Sequence, residues 1–129
     1  MRMSDFFLYV GTYTQDTTSK GIYAYRFDSA QKELRLLEAQ GHCANPNFIA
    51  VNAKARLLCA VNEHGEKTWL ASYRITAEGR LHLLSELGVP GCGPCHIEID
   101  ANCAHTFYAN YVSGDFGSVA IDQRGCLTE

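Results

Sequence analysis

The sequence predicts an all-β chain built from repeating units of four short antiparallel strands. One sign is a stretch that recurs at a fixed period: Asn45-Pro46-Asn47-Phe48-Ile49-Ala50-Val51 is matched 48 residues later by Gly93-Pro94-Cys95-His96-Ile97-Glu98-Ile99. Leu58-Cys59-Ala60-Val61-Asn62-Glu63 is matched at the same 48-residue spacing by Thr106-Phe107-Tyr108-Ala109-Asn110-Tyr111. A third copy, Leu8-Tyr9-Val10-Gly11-Thr12-Tyr13, lies 50 residues before Leu58 to Glu63. The copies are strand length and rich in β-branched and aromatic residues. Helical periodicity is missing as well. Ser29 to Ala39 comes nearest to it, but Leu34, Leu36 and Leu37 bunch together where a helix needs them at intervals of three or four. A period near 50 residues made of short strands is the signature of β-propeller blades.

Phe6 to Tyr13 reads as the first strand, followed by a polar loop, Gln15 to Gly21, and the alternating strand Ile22 to Phe27. Leu34 to Glu38 closes this first unit. Phe48 to Val51, Leu57 to Val61, Trp69 to Ile75 and Leu81 to Leu87 follow as four strands separated by turns, one complete blade. Ile97 to Ile99 and Phe107 to Ala109 form a hairpin about the turn Asp100-Ala101-Asn102, and Val119 to Ile121 precedes the final Leu127-Thr128-Glu129. The units run about 1–44, 45–92 and 93–129. The first lacks its leading strand and the last breaks off near its fourth, giving about two and a half blades.

The third unit is also short. Leu70 to Gly79 spans nine residues while Val119 to Gly125 spans six, placing a three-residue deficit where strand three turns into strand four. A ring needs four to eight blades, and open ends leave strand edges unpaired. The expectation is a piece of a longer protein, or self-association through the open edges, or a partner that covers them.

Composition narrows the function classes. A hydrophobic content of 47% suits a folded domain. A net charge of −3, with eleven cations scattered singly, gives no nucleic-acid footprint. The N-terminus carries no apolar run long enough for a signal peptide or membrane span. The expected location is cytoplasmic, with the six cysteines as free thiols.

The topology of a blade says where a site lies. Strand one runs away from a rim and strand two returns to it, so the start of one and the end of the other share a face. That reasoning gathers His96, Asn62, Glu63, Asn110 and Tyr111 on one rim, beside the loops Glu63 to Lys67 and Val112 to Phe116. Innermost strands line the channel, a concave place for a small ligand.

Phe7-Leu8-Tyr9-Val10-Gly11-Thr12-Tyr13-Thr14, Gly21-Ile22-Tyr23, Asn45-Pro46-Asn47-Phe48, Val61-Asn62-Glu63, Gly93-Pro94-Cys95-His96 and Ala109-Asn110-Tyr111 with Gly117-Ser118-Val119 together resemble the opening third of the seven-bladed propeller lactonases. That group includes the propeller-type 6-phosphogluconolactonases and the carboxy-muconate cyclases. The resemblance implies hydrolysis of 6-phospho-glucono-1,5-lactone to 6-phosphogluconate, in the oxidative branch of the pentose phosphate pathway, with a small sugar lactone as partner and neither metal nor organic cofactor. It also implies that most of the family's His, Arg and Glu active-site residues belong to later blades.

A lactone hydrolase needs a base to activate water and donors for the oxyanion. His96 is the candidate base, and Asn62, Glu63, Asn110 and Tyr111 are the candidate substrate-binding residues. Each has a plainer reading. A His at the head of an inner strand often serves the neighbouring loops, and Asn at a strand end often bonds its own backbone. Phe48 fills the position matching His96, so the scaffold itself does not require His. The same chain also fits a non-catalytic propeller used for binding or assembly, or a lactonizing enzyme of the carboxy-muconate cyclase kind.

Cys92-Gly93-Pro94-Cys95-His96 has the spacing of a redox dithiol and of a haem c attachment site. The first needs a helix after the first Cys, the second goes with export, and neither context is present. Zinc binding by Cys92, Cys95, Cys103 and His105 is the remaining motif. The repeat accounts for Pro94 and His96 without it, and no metal site is assigned.

Overall fold

The computed structural model describes residue 2 and residues 5–129. Eleven strands fall into three antiparallel sheets: β1 (Asp5–Val10), β2 (Ile22–Asp28) and β3 (Glu33–Gln40); β4 (Phe48–Asn52), β5 (Leu57–His64), β6 (Lys67–Ile75) and β7 (Leu81–Val89); and β8 (Pro94–Ile99), β9 (His105–Asn110), β10 (Phe116–Ile121) and β11 (Leu127–Thr128). Strands pair in chain order within each sheet. These are the expected blades, the first without an innermost strand among the described residues. The ambiguous Ser29 to Ala39 contributes to β3, as its bunched leucines indicate.

Asn or Asp at strand ends explains where several strands stop. The Asp28 carboxylate accepts from the amides of Ala30 and Gln31, the Asn52 side chain from Ala55, Asp100 from Ala104 and His105, and Asp122 from Arg124 and Cys126. Each short polar side chain offers the backbone a turn in place of the ladder.

Blades pack face to face through the middle one. Alternate residues of β5 point opposite ways: Leu57, Cys59 and Val61 pack with Ile97, Ile99, Tyr108, Val119 and Ile121 of the third sheet, while Leu58 and Ala60 join Ala71, Tyr73, Ile22 and Cys43 against the first. Both faces of β5 are therefore buried, which is why it reads as a continuous apolar run. Innermost strands β4 and β8 lie side by side.

The deficit in the third unit lies elsewhere than expected. The turns after β6 and β10 have the same length and hydrogen bonds: Thr76 N to Arg80 O and Gly79 N to Thr76 O in one, Asp122 N to Cys126 O and Gly125 N to Asp122 O in the other. Ladder register equates Leu70 with Phe116 and Tyr73 with Val119, because each pair faces a matched residue on the second strand. The matching of Leu70 with Val119 is thus corrected. The shortening is two residues, not three, and lies in the hairpin between strands two and three: Val61 pairs with Leu70 but Ala109 with Phe116, and β5 and β6 stay paired out to His64 and Lys67 while β9 and β10 part at Asn110.

Candidate functional site

Repeat geometry builds the rim. Tyr13, Glu63 and Tyr111 occupy equivalent positions of the three units, one residue beyond Thr12, Asn62 and Asn110. All three line one open cleft of about 360 Å³, whose remaining wall comes from Asn47, Gly93, Pro94, Cys95 and Val112. The Tyr13 hydroxyl donates to Glu63 Oε2 at 2.6 Å. This bond to a carboxylate raises the Tyr13 phenol above its ordinary range. The Glu63 amide donates to Ala44 O at 3.0 Å, and the Asn47 side chain donates to Pro94 O at 2.9 Å. Asn47 thus ties the second blade to the third at the cleft floor.

Tyr111 is held by its backbone, donating to Gly93 O at 2.7 Å, and its ring is 83% exposed. Gly93 has φ near 68° and sits where a Cβ would press on Val112. Only glycine takes both constraints without strain.

His96 stands beside this cleft and not in its lining. A bulge at Cys95 lets Pro94 pair with Asn110 and His96 with Ala109, so two successive side chains, Cys95 and His96, are exposed. The His96 ring lies 4.6 Å from that of Phe48, its counterpart in the preceding repeat.

The two asparagines serve different ends from Glu63 and Tyr111. Asn110 is buried; its Oδ1 accepts from Thr68 Oγ1 at 2.7 Å, and its amide nitrogen donates to Pro90 O and Asp115 Oδ1 at 3.1 and 2.9 Å. It latches the third blade to the second and fixes its own hairpin. Hydrogen bonds from Ser113 and then Asn110 hold the Asp115 carboxyl below its ordinary value. Asn62, adjacent to Glu63, points to the opposite face of β5, and its buried Oδ1 has no partner among the described residues. It lines a separate cleft with His42, His64, Trp69 and Glu86.

Sequence reasoning missed Tyr13 and Asn47. The signal was available in the repeat itself, since Tyr13 aligns with Glu63 and Tyr111. The cysteines are free, Cys92 precedes β8 and Cys95 lies in it, so the Cys-x-x-Cys pair leads into a strand. Among the described residues no three His, Cys, Asp or Glu side chains converge as metal ligands, and no helix is long and apolar enough to cross a membrane.

Residues 7–129 match the family described as Lactonase, 7-bladed beta-propeller. The chain belongs to the seven-bladed β-propeller lactonase family. It is 29% identical over 126 residues to a 6-phosphogluconolactonase of Bacillus subtilis, covering 97% of this chain and 36% of that protein. Among solved structures of similar fold is a Bacteroides fragilis protein described as a candidate 6-phosphogluconolactonase, with TM-score 0.86 and 31% identity over 98% of this chain and 35% of the other. A periplasmic gluconolactonase of Pseudomonas aeruginosa gives TM-score 0.86 and 29% identity over 97% of this chain and 37% of its own. The chain thus spans about a third of the length of these lactonase-family relatives.

Proposed function

We propose that these blades are part of a sugar-lactone hydrolase that converts 6-phospho-glucono-1,5-lactone to 6-phosphogluconate. Membership of the lactonase family across residues 7–129 carries this reading. The rim cleft supports it, because three repeat-equivalent side chains converge there on a carboxylate and two phenols, groups suited to sugar hydroxyls.

His96 is assigned as the base. It takes a proton from water as the water oxygen bonds to the lactone carbonyl carbon. Negative charge gathers on the carbonyl oxygen, where the Tyr111 hydroxyl is the assigned donor. Collapse breaks the ring C–O bond, and the departing ring oxygen takes the proton from His96. The new acid releases its own proton to solvent. Glu63, anchored by Tyr13, accepts hydrogen bonds from the sugar. Asn110 is assigned to holding the rim, and Asn62 to the neighbouring cleft.

No Lys or Arg lines the rim cleft among the described residues. The cations that a phosphate requires are therefore supplied by blades beyond these, from a longer chain or from further copies docked on the open faces. Six free cysteines fit a reducing, cytoplasmic setting.

The test is hydrolysis of 6-phosphogluconolactone by the ring-closed protein, with His96→Ala and Glu63→Gln beside it. A rate no higher than the spontaneous one overturns the lactonase reading. Full activity in His96→Ala removes only that residue's role.

A further inference from the structure

A second cleft, of about 250 Å³, opens where the upper end of β5, β6 and β7 faces the segment leading from β3 to β4. Register fixes its floor. Asn62, Trp69 and Gly88 are cross-strand partners in one row, and Ala60, Ala71 and Glu86 form the next. Ala60 and Ala71 are fully buried in the cluster with Ile22 and Cys43 that joins this face to the first blade, whereas Trp69, Gly88 and Glu86 at the end of the same face stay exposed. Trp69 lies against Gly88, where a Cβ would come to 3.5 Å from three ring atoms, and stays 38% exposed. Its indole is thus a propped platform with one open side.

Polar groups surround the platform. Asn62 is 3% exposed, and its Oδ1 has no hydrogen-bond partner among the described residues, a costly state for a buried amide. Its Asn110 counterpart is satisfied by Thr68 and by Asp115 of the five-residue loop between β9 and β10, whereas the β5–β6 hairpin closes on Gly65 and Glu66 and gives the Asn62 Oδ1 no such partner. His64 and Glu86 stand exposed on either side, and His42 closes the wall with Nε2 3.3 Å from the Tyr73 hydroxyl.

We propose that this cleft binds an uncharged sugar ring. An aromatic platform ringed by a few polar groups is the composition of a small-ligand site, and the volume suits one ring. Amide and imidazole groups each donate or accept, and a hydroxyl answers either. Glu86 accepts only. Among the described residues no Lys or Arg lines the cleft and its one carboxylate, Glu86, disfavours anions, so a sugar phosphate or an aldonate does not suit it. The site stands apart from the rim cleft and does not rest on the lactonase reading.

Trp69 is the chain's single tryptophan, so its emission reports occupancy directly. D-glucose, D-galactose, D-mannose and myo-inositol would each be titrated into the protein, with agmatine as an organic cation and 6-phosphogluconate as an anion. The expected result is a saturable emission change with at least one neutral ring, half-maximal on the order of 1–10 mM. Glu86→Gln and His64→Ala, both exposed positions, should weaken it at least tenfold with unchanged far-ultraviolet circular dichroism. Saturation by the cation or the anion alone overturns the proposal, as does a purely linear response to every neutral ring. An identical curve in both variants overturns it too.

Discussion

Asn62 and Asn110 show how one residue type at one repeat position takes opposite energetic roles. Asn110 satisfies Thr68, Pro90 and Asp115, so Asn110→Ala strands a buried hydroxyl and a carbonyl. That should cost about 3 kcal/mol and lower Tm by roughly 10 °C. Asn62→Ala removes an Oδ1 that no described residue pairs with, and Tm should shift by a few degrees at most. Thermal unfolding of the two variants decides the contrast, and equal losses would contradict it. Asp115 adds a pH dependence. Its folded value lies below the ordinary 3.8, so the stability it lends is present above that value and is lost as pH falls through the folded one. Hydrogen exchange at the Ser113 amide, which donates to Cys92 O, should therefore accelerate below about pH 3.8. Asp115→Asn should flatten that acid transition.

At the scale of elements, the repeat was legible because each blade is made of local hairpins whose turns announce themselves in Asp and Asn at strand ends. The rim was legible in outline for the same reason, since chain reversal puts Asn62, Glu63, Asn110 and Tyr111 at one end. What the pattern could not carry was the face. Period-two alternation sends Glu63 and Asn62 apart, which splits residues that one-dimensional matching had gathered. Nor does alternation anticipate a bulge, and the extra residue at Cys95 turns His96 out beside Phe48. The hairpin between strands two and three was misaligned because its deficit is invisible until the ladder register is known. Gly93 is the pivot of this end of the sheet: its positive φ and its contact with Val112 set the backbone that holds Tyr111. Gly93→Ala should cost about 2 kcal/mol and displace the cleft wall. A denaturant midpoint equal to that of the parent would refute this placement.

At the scale of the whole molecule, the surface itself indicates that something is left uncovered. A compact monomer of 14.3 kDa exposes about 6,800 Å², while this chain exposes 7673 Å². The excess, about 900 Å², is close to one partner's share, about 800 Å², of a standard protein interface. It has an identifiable location. The face of the first sheet that turns away from the second presents Phe6, Leu8, Val10, Leu34 and Leu36, all 39% exposed or more, and among the described residues β1 has no strand on its inner edge. At the other end, Phe107 and Phe116 are 47% and 86% exposed. Each blade already offers one face to its predecessor and the other to its successor, so these two faces suit each other head to tail. Contacts of that kind close into rings or run on as filaments. Light scattering on the isolated chain should give a mass above 14.3 kDa that rises with concentration. Leu8→Lys with Leu36→Lys, two changes on one uncovered face, should return it towards the monomer. A concentration-independent monomer in the unaltered chain would mean that the exposed faces do not recognise each other, and that only blades continuous with this chain can complete the lactonase ring.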